Sequence, residues 1–131
     1  MRESNVSPGH LKQIDREEDR ICAAFGLPAH VPLPRLSKET LLQYHQYLSR
    51  ELSFPFQALY AETTPPVHHI VRYVTVLGLS DSPRRRMYGL FCRVQIDGTI
   101  QELPLADLGL QADEPNRQLV DDYLYWLWNS L

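Results

Sequence analysis

Asp107, Asp113 and Glu114 fall within one short stretch ahead of a C-terminal helical pattern, and Asp121 and Asp122 follow two turns on. Oxygen donors in this arrangement suit a hard cation, which takes about six to eight oxygens from carboxylates, backbone carbonyls and water. No D-x-[DN]-x-[DN]-G loop is present, so an EF-hand is excluded and any such site must be assembled from separated segments. Asp107, Asp113 and Glu114 form the best local cluster, to which carbonyls of the same loop could add. Asp121 joins only if its helix turns toward that loop. A plainer reading also holds for these residues: acids at a helix start favour its dipole by about 0.3–1 kcal/mol, and Asp121 can serve a surface salt bridge.

Other chemistry is sparse. Arg84, Arg85 and Arg86, beside Tyr88, could grip phosphate or an acidic partner peptide, or could simply form a solvated basic loop. His68 and His69 are adjacent on a strand pattern, so their rings point to opposite faces and do not chelate together. No second pair completes a tetrahedral zinc site. There is no G-x-S-x-G elbow, no activated-cysteine context and no glycine-rich phosphate cradle, so an enzyme is not expected.

The elements that must position these residues follow from periodicity. Ser7-Pro8 opens a first helix with apolar Leu11, Ile14, Ile21, Cys22 and Phe25, stopped at Gly26. Pro28, Pro32 and Pro34 make an extended connector, which either packs through Leu27, Val31 and Leu33 or leaves the first helix as an appendage. Leu41, Tyr44, Leu48 and Leu52 mark a second helix with Ser37 as its N-cap and Glu39 in its first turn. Phe54-Pro55-Phe56 stops it, because proline lacks the amide hydrogen and drives Phe54 toward extended backbone. Gln57–Glu62, Val67–Leu79, Tyr88–Ile96 and Thr99–Leu105 read as strands, with the last two joined at Asp97-Gly98. Ala106–Gly109 reads as one turn. The final helix, opened by Glu114-Pro115-Asn116, is apolar around well over half its circumference and must be covered by the sheet or a partner chain. The expected fold is α+β: about four antiparallel strands able to curl into a small SH3-like barrel, two flanking helices and an N-terminal helix. Residues 1–36 form the tail, helix and connector, and residues 37–131 the main domain.

Size and charge bound the function. At 131 residues with a net charge of -3, one domain is expected and a general electrostatic case for nucleic acid is absent. No run approaches the roughly 20 apolar residues of a membrane span, and the N-terminus lacks a signal-peptide core. Cys22 and Cys92 follow no CxxC pattern and read as reduced thiols of a cytoplasmic protein.

From about Leu48 to Trp128 the chain resembles the small cyanobacterial calcium-binding protein family. The resemblance is carried by Leu52-Ser53-Phe54-Pro55-Phe56-Gln57-Ala58, Val74-Thr75-Val76-Leu77-Gly78, Leu103-Pro104-Leu105-Ala106-Asp107-Leu108 and Asp121-Asp122-Tyr123-Leu124-Tyr125-Trp126-Leu127. It leaves the N-terminal 36 residues outside. The resemblance implies a small, non-enzymatic, low-affinity calcium module. The cation would be held by Asp107, Asp113 and Glu114, with Asp121 and with Glu51, since the family is also acidic before the corner. The alternative is an interaction module that has lost calcium and uses Arg84–Arg86 or the N-terminal helix to hold a protein. A homodimer through the Trp126/Trp128 end is a third reading.

Overall fold

The computed structural model describes residues 8–64, 68–81 and 89–130, with the side chains of 8–15, 62–64, 68 and 69 excepted. Helices α1 (Pro8–Ala24) and α2 (Lys38–Glu51) precede β1 (Phe56–Thr64), β2 (His68–Leu79), β3 (Phe91–Ile96) and β4 (Thr99–Pro104). A 3-10 turn at Leu105–Asp107, a two-residue strand β5 (Leu108–Gly109) and α3 (Arg117–Asn129) complete the chain. The class is α+β, as expected.

The helix α2 starts where Ser37 closes a capping box. The Thr40 amide donates to Ser37 Oγ at 3.1 Å and the Ser37 amide to Thr40 Oγ1 at 2.8 Å. Both donors would otherwise lack an intrahelical acceptor. The sheet runs β4-β3-β2-β1-β5, each neighbour antiparallel. Asp97 and Gly98, both at positive φ, make the β3–β4 turn. That turn type needs left-handed backbone at both central residues. The sheet has five strands rather than four, because the expected turn at 106–109 includes a short strand that pairs with Leu59 and Tyr60. Among the described residues β4 and β5 stay as its two edges, so the sheet is open and no barrel closes.

One face of the sheet carries Phe56, Ala58, Val74, Val76, Cys92 and Val94, all buried. Against it pack Leu41, Tyr44 and Leu48 of α2 and Val120, Tyr123, Trp126 and Leu127 of α3, in one core with Ile21 of α1. Large side chains of this kind contribute about 1.5–3 kcal/mol each on burial. The apolar last helix thus finds its cover within the chain, although Trp128 remains 56% exposed.

The connector after α1 packs rather than dangles. Trp126 Nε1 donates to the Pro34 carbonyl at 2.9 Å, and the Leu36 amide donates to the Ser130 carbonyl at 3.0 Å. Helix α1 is tied to α3 by Arg20, whose Nε and Nη2 donate to the two oxygens of Asp122 at 2.7 and 2.9 Å. The Tyr125 hydroxyl adds a bond to Glu18 at 2.7 Å. Ile21 and Cys22 are buried, so the C-terminal part of α1 packs into the molecule. No helix among the described residues is long and apolar enough to cross a membrane.

Candidate metal centre

The loop between β5 and α3 is fixed at both ends. At its start, Leu108 and Gly109 pair with Tyr60 and Leu59. At its end, Asn116 is 3% exposed and clasps the backbone of Ser53. Its Oδ1 accepts from the Ser53 amide at 2.9 Å, and its Nδ2 donates to the Ser53 carbonyl at 3.0 Å. An asparagine before a helix usually caps it through the side chain. Here that side chain makes no cap bond, because both of its polar atoms hold the residue preceding the Phe54-Pro55 corner. The capping role passes to Glu114, whose Oε2 accepts from the Asn116 amide at 2.5 Å. Backbone bonds from Glu114 to Gln111 and from Arg117 to Glu114, each 3.0 Å, turn the loop between these anchors.

The result is a hollow of about 370 Å³ in which Asp113 and Glu114 face the corner and the first residues of β1. Tyr73 of β2 and Gln111 lie on its remaining side, joined by a bond from Gln111 Nε2 to the Tyr73 hydroxyl at 3.3 Å.

A second hollow, of about 510 Å³, lies between α1 and α3 and is lined by Glu17, Arg20, Glu114, Arg117, Asp121 and Asp122. Its acids are largely committed. Asp122 is held by both nitrogens of Arg20, and Asp121 accepts from Arg117 Nε at 3.2 Å, one helical turn away. Glu17 is the acid in excess. Burial first, and then the facing carboxylate of Asp122, push its pKa above the ordinary carboxylate value. Crowded like charge of this kind favours the protonated form.

The acids singled out in the sequence therefore divide. Asp113 and Glu114 share the first hollow, Glu114 and Asp121 the second. Asp107 is exposed on the 3-10 turn and lines neither; its carboxylate is felt instead at Cys92, whose thiol is pushed up to about 12 by burial and then by Asp107. Glu51 is exposed at the end of α2 and acts on Tyr47, whose phenol is raised by burial and then by that carboxylate. Arg84, Arg85 and Arg86 lie outside the described residues. Glu17 and Asn116 were not singled out by sequence. Glu17 reads there as a charge interrupting an apolar stripe, and Asn116 as an ordinary helix opener.

The donor set suits calcium in kind, being all oxygen, and is thin in number. Among the described residues no three His, Cys, Asp or Glu side chains come close enough to hold one metal ion. A cation at the first hollow would have Asp113 and Glu114, with carbonyls and water filling the remaining positions.

A family profile described as calcium binding, Calci_bind_CcbP, matches residues 36–127. The chain belongs to the CcbP calcium-binding family. Family membership makes calcium the cation of this protein. Among solved structures, the crystal structure of Anabaena CcbP matches with a TM-score of 0.57 at 19% identity. The match spans 97% of this chain and 95% of that one, so α1 lies within the shared fold. No curated protein matches.

Proposed function

We propose that the chain is a small, non-enzymatic protein that binds calcium weakly and outside any EF-hand, with Asp113 and Glu114 as its carboxylate ligands. The observation that carries this reading is the shared hollow of the two acids, held open by the Asn116 clasp on Ser53. One oxygen of Glu114 takes the Asn116 amide, leaving the other for a cation. Calcium affinity rises with the number of charged ligands and the rigidity of the site. Two carboxylates on a loop anchored at both ends belong at the weak end of that range. Asp121 contributes only by giving up Arg117, and Asp107 and Glu51 stand apart from the set.

The non-enzymatic part of the proposal is supported by a grouping among the described residues that looks catalytic. The His45 ring binds the carbonyl of Ser80, while the Ser80 hydroxyl faces Glu102. The imidazole sits on the carbonyl rather than on the hydroxyl, and Ser80 is buried, so the grouping offers no nucleophile to a substrate. The two thiols, Cys22 and Cys92, are unpaired and buried, which fits the reducing cytoplasm.

Isothermal titration with calcium, and with magnesium in parallel, tests the reading. Saturable heat in the high-micromolar to millimolar range, lost in Asp113→Asn with Glu114→Gln, supports it. Absence of heat at millimolar calcium, or heat unchanged in the double variant, overturns it.

A further inference from the structure

The first hollow is more than a pair of acids. Along one wall runs the N-terminal part of β1, Phe56 to Ala58. Strand β1 is paired with β2 over its whole length, but on its other side β5 covers only Leu59 and Tyr60. Among the described residues, the β5-side edge at Phe56–Ala58 therefore has no strand beside it. An open edge presents unpaired amide and carbonyl groups, a ready template for another extended chain. The floor is apolar and aromatic: Pro55, Leu59 and Tyr73. Leu59 and Tyr73 are cross-strand partners on the outer face, and Tyr73 is 66% exposed. The far rim is negative, with Asp113 and Glu114.

We propose that this hollow takes an extended, basic segment of a partner protein, added as a short strand along the open edge of β1. Its lysine or arginine would lie with the aliphatic stem over Leu59 and Tyr73 and its cation between Asp113 and Glu114. Three features select that occupant together. The strand edge asks for an extended backbone, which supplies affinity through main-chain bonds. The acids ask for a positive head group, best met by the planar fork of arginine. The exposed ring of Tyr73 asks for a cation or its stem rather than an anion. An acidic segment bridged by calcium would satisfy the edge but would set its own charge against the rim in the absence of the metal.

The occupant uses the same carboxylates as the proposed calcium site, so the inference rests on that reading only for its consequence: calcium and the basic segment compete. Binding of the segment itself needs no calcium.

The test uses the full chain and a fluorescent five-residue peptide alternating valine with arginine, followed by anisotropy in calcium-free buffer. Saturable binding is expected. It should weaken about tenfold or more for Asp113→Asn with Glu114→Gln, and for a peptide N-methylated at alternate amides. Tyr73→Ala should weaken it severalfold. Added calcium should displace the peptide. The inference is overturned by no saturable binding, by equal binding of the N-methylated peptide, or by calcium-promoted binding of a valine–glutamate peptide in its place. If the peptide binds as described and calcium gives no heat, the calcium reading fails and this one stands.

Discussion

Replacing Asn116 by alanine tests the link between fold and site. Asn116 is buried and makes two bonds to the backbone of Ser53, at 2.9 and 3.0 Å. Each such bond contributes about 1 kcal/mol net, and a buried group left unpaired costs about 1–3 kcal/mol more. Ser53 itself is exposed, so water recovers part of what its amide and carbonyl lose. The expected destabilisation is therefore about 2–3 kcal/mol. For a domain of this size that corresponds to a fall in Tm of roughly 5–15 °C. Urea unfolding followed through the buried Trp126 measures the free energy, and differential scanning calorimetry the Tm. The variant should also weaken calcium binding, because the loop carrying Asp113 and Glu114 loses its anchor on the corner. A loss below about 0.5 kcal/mol, the size of an ordinary surface substitution, would refute the clasp as the element that sets the hollow.

Three further outcomes follow from other contacts. Gly89 sits at φ +73, and a Cβ there would lie 2.2 Å from the Tyr123 hydroxyl, which accepts the Leu90 amide; Gly89→Ala should cost about 2–4 kcal/mol in urea unfolding. Arg20→Ala leaves the Asp122 carboxylate, 8% exposed, without its two-point partner. Breaking a fully buried pair costs about 3–5 kcal/mol, and since Arg20 is 38% exposed the expected loss is nearer 2 kcal/mol. Glu17 has a folded pKa raised by burial and by Asp122, so its contribution is fully present below its unfolded value and is lost as pH rises through the folded one. Glu17→Gln should accordingly raise Tm at neutral pH by a few degrees and flatten the gain expected of the parent as pH falls toward the ordinary carboxylate value. An unchanged pH profile in that variant would remove Glu17 from the account.

What the sequence makes legible follows the range of the forces involved. The α2 cap at Ser37, the proline corner, the alternation of β2 and β3 and the Asp97-Gly98 turn are local, and each appears where periodicity or turn chemistry places it. Strand β5 escapes because two residues, Leu108 and Gly109, are too few to carry an alternation. They become a strand only because β1 offers them an edge. Helix α3 begins at Arg117 rather than at Glu114, since Glu114 turns back to cap the Asn116 amide. The site is harder to read, being made by contacts distant in sequence: Asn116 to Ser53 and Arg20 to Asp122. Of five candidate carboxylates, Asp113 and Glu114, neighbours in sequence, line one hollow. Sequence alone leaves unseen that Asp107, exposed on the 3-10 turn, and Glu51, exposed at the end of α2, line neither hollow. It also passes over Glu17, whose significance arises only once α1 lies against α3.

Calcium titrated into the ¹⁵N-labelled protein, with backbone amide shifts followed by NMR, tests the central claim at the residues concerned. Saturable shifts centred on Asp113, Glu114 and Asn116, and spreading to Gln57 across the hollow, are the predicted result. Shifts centred on Asp107 or Glu51, or none at millimolar calcium, would contradict it.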